Sequence, residues 1–180
     1  HDDLLFFTNL GKAYQLKMYD IPEGKRATKG KSIMNFVSLS EGERVMSILP
    51  VSKGDKGKEQ YLFLMTENGT GKKMSSKQFA DVRRSGIIAI NLDKNDSLRG
   101  ANLVEKGDEV MLATAKGQSV RFKESDIREM GRTAGGVRAM KLGKGDTIVG
   151  FDIVKLLQLN YLEAKILKKS SSPSTRVKPT

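Results

Sequence analysis

Three stretches of the chain open with four apolar residues in a row and then turn polar. They are Leu4-Leu5-Phe6-Phe7-Thr8-Asn9-Leu10-Gly11, Leu62-Phe63-Leu64-Met65-Thr66-Glu67-Asn68-Gly69 and Val110-Met111-Leu112-Ala113-Thr114-Ala115-Lys116-Gly117. An unbroken apolar run of this length, closed by a polar step ending in glycine, predicts a buried strand followed by a hairpin turn. After each glycine the chain alternates, as in Ala13-Tyr14-Gln15-Leu16-Lys17 and Ser119-Val120-Arg121-Phe122-Lys123. Alternation predicts a returning strand with one wet face.

The three stretches stay in step further along. Ten residues after each glycine stands an apolar residue (Ile21, Phe79, Ile127), and fifteen after it an arginine (Arg26, Arg84, Arg132). A glycine follows (Gly30, Gly86, Gly136), then an apolar strand ending in Leu39, Leu92 or Leu142. A short acidic turn comes next, and a last strand around 45–51, 98–104 and 148–154. The expected fold is therefore all-β: about three four-stranded blades over residues 1–51, 58–104 and 107–154, in a propeller-like open or partial ring. A single blade cannot bury both faces, so the blades should stack. Lys53–Gln60 reads as a charged inter-blade loop. After Val154 the pattern stops: residues 155–180 form a non-repeating basic tail, with Leu156, Leu159, Leu162 and Ile166 fitting either a helix face or a strand, and with a polar, partly disordered end.

Composition narrows the partners. The 180 residues carry 32 Lys+Arg against 21 Asp+Glu, a net charge of +11. Such an excess suits a polyanion: nucleic acid, an anionic membrane surface or an acidic protein. There is no cysteine and one histidine, at position 1. That set argues against disulfides, thiolate or histidine metal sites and a Ser-His-Asp triad. No apolar run reaches the length of a membrane-spanning helix. The chain starts at His1 and reads as part of something longer.

Several stretches resemble the C-terminal domain of the A subunit of DNA gyrase and of topoisomerase IV. They are Phe6–Tyr14, Arg44–Val51, Asp108–Leu112, Ser119–Ile127 and Met130–Leu142, and the likeness spans residues 1–154. It implies a β-pinwheel, six-bladed in the family, in which neighbouring blades exchange a strand and a basic rim wraps DNA. The implied function is a DNA-binding and DNA-wrapping module of a type IIA topoisomerase. Its implied partners are double-stranded DNA, the remainder of the A subunit, and the ATPase subunit of the topoisomerase, in a bacterial, nucleoid-associated cytoplasmic setting. ATP and Mg are expected on other domains or subunits, and no cofactor is expected in this chain. The family's Gln-Arg-Arg-Gly-Gly box and its catalytic tyrosine region are absent, so the chain alone is expected to be non-catalytic. Box absence and truncation both leave gyrase and topoisomerase IV open.

Two sets of cations are candidates for the DNA. The first is the loop column: Arg26, Arg84 and Arg132 with Lys29, Lys31, Arg83, Arg128 and Arg138 around them. Phosphates need cations spaced along a path, and a repeated loop supplies one. The competing reading is that these arginines brace neighbouring blades. The second set lies on the returning strands: Lys12, Lys17, Lys72, Lys73, Arg121 and Lys123. Gly30-Lys31-Ser32 lacks the spacing of a nucleotide-binding loop. Carboxylates such as Asp108, Glu109, Glu124 and Asp126 read as turn and strand-edge charges. Methionines including Met34, Met46, Met65, Met111 and Met140 read as core filler. A basic-faced protein-interaction scaffold is the alternative function.

Overall fold

A computed structural model describes residues 3–51, 60–83 and 85–155. Eleven strands run in chain order among them: β1 Asp3–Thr8, β2 Lys12–Lys17, β3 Val45–Val51, β4 Tyr61–Thr66, β5 Thr70–Ser75, β6 Ile87–Ile88, β7 Leu98–Val104, β8 Glu109–Thr114, β9 Ser119–Lys123, β10 Val137–Arg138 and β11 Ile148–Val154. The helical elements described are single 3-10 turns, at Met18–Asp20, Ile33–Asn35, Ser76–Phe79 and Glu124–Asp126.

The strands form three antiparallel sheets, ordered β3-β1-β2-β6, β10-β5-β4-β7 and β11-β8-β9. Each apolar run is the strand flanked on both sides within its own repeat: β1, β4 and β8. In β4 the reason for the four consecutive apolar residues is visible. Leu62 and Leu64 join a cluster with Leu5, Phe7 and Ile90, while Phe63 and Met65 join one with Val110, Leu112 and Ile148. Both faces of the strand lie between sheets, so alternation is lost. The cores of this molecule are thus largely the seams between blades.

The sheets depart from four strands per repeat in two respects. The first repeat's expected strand ending at Leu39 does not form: the segment holds a 3-10 turn at Ile33–Asn35 instead. The outer strands of the other two repeats are exchanged. β6 belongs in sequence to the second repeat but pairs with β2 of the first, Ile87 opposite Ala13 and Ile88 opposite Lys12. β10 of the third repeat pairs with β5 of the second, Val137 opposite Gly71 and Arg138 opposite Thr70. The second and third repeats each hand their outermost strand to the blade before. The third blade keeps three strands among the described residues.

The turn acid of each repeat is held by the hairpin that follows the apolar run. Thr8 Oγ1 donates to Glu43 Oε1 at 2.7 Å. The backbone amides of Asn68 and Lys116 donate to Asp96 and Asp146, both at 3.0 Å. Burial acts to raise the Glu43 carboxyl, but the Ser40 amide, the Thr8 and Tyr14 hydroxyls and the Lys12 charge hold it below the ordinary carboxylate range. The opposing hydroxyl, Tyr14, is pushed up to about 12 by burial and by Glu43. β1, β4 and β8 each shift register against their partner near the threonine, which turns the chain into this buried contact.

Candidate nucleic-acid interface

β3, β7 and β11 lie on the inner side, where β3 and β11 both approach β7. β6 and β10 are therefore the outermost strands of their sheets. The segments leading into them run along the outer strand of the preceding blade. Val82 N donates to Gln15 Oε1 on β2 at 3.0 Å. Met130 N donates to Lys73 O on β5 at 2.9 Å, and Asn91 Nδ2 holds Thr133 O at 2.6 Å. The connecting loops are laid along the outer edge by these bonds.

This edge carries much of the loop column. Arg83, Arg128 and Arg138 are exposed and Arg132 is half-buried. Arg26, Lys29 and Lys31 are exposed on the first repeat's long loop, where Lys29 and Lys31 help line an open concavity of ≈ 470 Å³ with Pro22, Lys25 and Thr28. Among the described residues no ion pair engages Arg26, Arg83, Arg128, Arg132 or Arg138. Arg84 lies outside the described residues, as do 156–180 and most of Lys53–Gln60.

The strand set divides. Arg121 and Lys123 point from the wet face of β9, as alternation predicts, with Arg121 Nε 3.1 Å from Glu109. Lys12 and Lys17 are half-buried, Lys12 at 3.7 Å from Glu43 and Lys17 at 2.6 Å from Asp3.

Lys72 and Lys73 require a correction. They are 0% and 8% exposed. β5 is flanked by β4 and β10 and overlaid by the 128–136 loop, so neither of its faces is wet. The Lys72 ammonium donates to Ala89 O at 2.7 Å, Arg132 O at 2.5 Å and Ala134 O at 2.9 Å. Burial, with the Arg132 guanidinium nearby, pushes it down to about 8. Lys73 pairs with buried Glu124 at 2.5 Å and also reaches Glu124 O at 3.1 Å. Bracing between blades thus falls on these two lysines. The backbone carbonyl of Arg132 is one of the groups braced.

The sequence pattern did not mark Asn91 and Gln15, two of the amides that pin the loops. Each sits at a variable position between repeats, so no column singled it out. Met34 and Met111 are corrected too: they are 65% and 45% exposed rather than core, at opposite ends of the array.

Comparison with known proteins fits this geometry. The family described as "DNA gyrase C-terminal domain, beta-propeller" matches residues 2–52, 60–105 and 108–155. The chain belongs to the DNA gyrase A C-terminal domain family. It is 44% identical over 149 residues to the DNA gyrase A subunit of Klebsiella oxytoca, and 42% identical over 149 residues to that of Escherichia coli K12. Either match covers 83% of this chain and 17% of the relative, so the chain spans about a sixth of these curated relatives. A solved C-terminal domain of DNA topoisomerase IV superposes with a TM-score of 0.77 at 29% identity, over 86% of this chain and 48% of that one. A DNA gyrase A C-terminal domain superposes with 0.69 at 30% identity, over the same shares of the two chains. The all-β blade architecture read from the repeats is the architecture of this family.

Proposed function

We propose that this chain is the DNA-wrapping part of a type IIA topoisomerase, acting without catalytic chemistry of its own. The observation that supports this best is the arrangement of arginines, free of ion pairs among the described residues, on loops that follow the outer edge of successive blades. Duplex DNA laid along that edge meets Arg26, Lys29 and Lys31 on one repeat, Arg83 on the next, and Arg128, Arg132 and Arg138 on the third. These groups contact phosphates and read little sequence. Arg121 and Lys123 extend the path onto β9. Lys72 and Lys73 contribute indirectly, by holding the loops at a fixed spacing.

Bending a duplex of 20–30 bp through 40–90° costs on the order of 1–6 kcal/mol. A single blade offers few contacts to offset that. Three blades locked by buried lysines present theirs without further ordering cost. Strand cleavage, ATP and Mg belong, on this reading, to other parts of the A subunit or to the ATPase subunit, with which the chain would work in the bacterial cytoplasm.

Resealing a nicked plasmid in the presence of the protein tests wrapping. The linking-number distribution of the products should shift as protein is added, and Arg26→Glu/Arg132→Glu should remove the shift. Binding with an unshifted distribution would leave a DNA-binding module that does not wrap.

A further inference from the structure

Lys72 and Lys73 are both buried, but only one of them has a counter-charge. Lys73 pairs with the Glu124 carboxylate. Among the described residues no carboxylate pairs with Lys72. Its three N–H groups meet three neutral acceptors: Ala89 O at 2.7 Å, Arg132 O at 2.5 Å and Ala134 O at 2.9 Å. An ammonium shielded from water and held by carbonyls alone gives up its proton more readily than one with an anion beside it.

The neighbouring elements supply no anion. β4 places Leu64 opposite Lys72, and the 89–91 segment brings Ala89, Ile90 and Asn91. Asp93 and Lys94, further along that segment, are exposed, as are Arg128, Glu129 and Arg138 on the overlying loop and β10. Lys12, across β6, is turned to Ser40 and Glu43. Lys73 and Glu124 lie on the other face of β5, as alternation requires. Burial, and then the Arg132 guanidinium, push the Lys72 ammonium down to about 8.

The overlying loop depends on this contact. The carbonyls of Arg132, Thr133 and Ala134 follow one another, and each is held by a side chain: Lys72, Asn91 and Lys72 again. Gly131 on one side and Gly135-Gly136 on the other bracket the three residues. Glycine leaves the backbone free to turn when a tie is lost. An ammonium has three N–H donors, one for each carbonyl. An amine has two, and its lone pair faces the third oxygen. Loss of the proton therefore frees one carbonyl, and two of the three belong to the loop that carries Arg132.

We propose that Lys72 is a positioning residue that couples DNA binding to proton uptake, its ammonium form fixing the Arg132 loop for a phosphate and its amine form letting that loop slacken. This coupling rests on the DNA reading. A phosphate paired with Arg132 cancels the guanidinium charge that opposes the Lys72 proton, so bound DNA raises the proton affinity of Lys72. By linkage, a proton on Lys72 raises the affinity for DNA by the same factor. Each unit by which DNA lifts the lysine is a tenfold difference in affinity between its two forms.

Calorimetric titration of a short duplex at about pH 8.5 and fixed salt, in HEPES and in Tris, reads the uptake from the difference in heat. The native chain should take up a fraction of a proton more than Lys72→Met, which keeps every other titrating group. Between about pH 7 and 9.5 the affinity should fall roughly three- to tenfold more in the native chain than in that variant. A second reading leaves the brace intact. In the chain carrying 13C at lysine Cε, one lysine should titrate well below the others, and saturating duplex should move it to higher pH. In Arg132→Gln that lysine should titrate higher in the free chain, and duplex should no longer move it. Salt-dependent binding with no extra proton uptake, or a lysine whose titration is the same free and bound, would overturn the coupling and leave the DNA reading intact. Binding without salt dependence at any pH would remove the DNA reading and the coupling with it.

Discussion

Lys72 shows how one side chain can tie three segments together. Its ammonium serves the carbonyls of Ala89, Arg132 and Ala134, from the second and third repeats. Lys72→Met would leave three acceptors without their donor, and each unsatisfied group costs about 1–3 kcal/mol. The variant should lose roughly 3 kcal/mol or more in urea unfolding, and a loss below about 0.5 kcal/mol would contradict the brace. The pH dependence has a definite sign. The folded lysine releases its proton near pH 8, the unfolded one near about 10.4. Between these values the unfolded chain binds more protons, so stability should rise with pH across that window. In Lys72→Met the rise should vanish. None of this was legible in sequence, because alternation marks which residues share a face but not whether a later repeat covers it. The same alternation was correct on β9, where no described loop lies over the strand.

At the scale of the element, the exchanged strands depend on two glycines. Gly86 has φ +78° and faces the Tyr14 ring; Gly136 has φ +94° and faces Thr70 and the Gly71 carbonyl, each within 3 Å of a notional Cβ. Gly30 has a similar φ of +70° but open space around it. Alanine at Gly30 should cost about 1–2 kcal/mol, for the left-handed backbone alone. Alanine at Gly86 or Gly136 adds a steric term and should cost about 1–3 kcal/mol more. Equal losses at the three sites, measured by thermal unfolding, would mean that the exchange seams are loosely packed. The hairpins were legible because a Thr-x-x-Gly turn between apolar runs is local chemistry. The exchange pairs residues far apart in the chain (Ala13 with Ile87) and has no local signature, so the family resemblance carried it.

For the whole molecule, the seams set the geometry and the rim sets the charge. The clusters around Leu62 and Leu64 and around Phe63 and Met65 place consecutive blades at fixed angles, so the loops they carry cannot drift apart. Net charge predicted a polyanionic partner, and the repeated arginine column predicted where it would lie. Arg26 is exposed and, among the described residues, neither Arg26 nor Arg132 is in an ion pair, so both stay in the proposed path, while the burial of Lys72 and Lys73 removes two residues from the candidate set. The salt dependence of binding to a short duplex tests the rim most directly. With about six phosphates neutralised, log K should fall against log salt with a slope of roughly −5, and Arg26→Gln/Arg132→Gln/Arg138→Gln should flatten it by about three. A slope near zero, or an unchanged slope in the triple variant, would contradict the account.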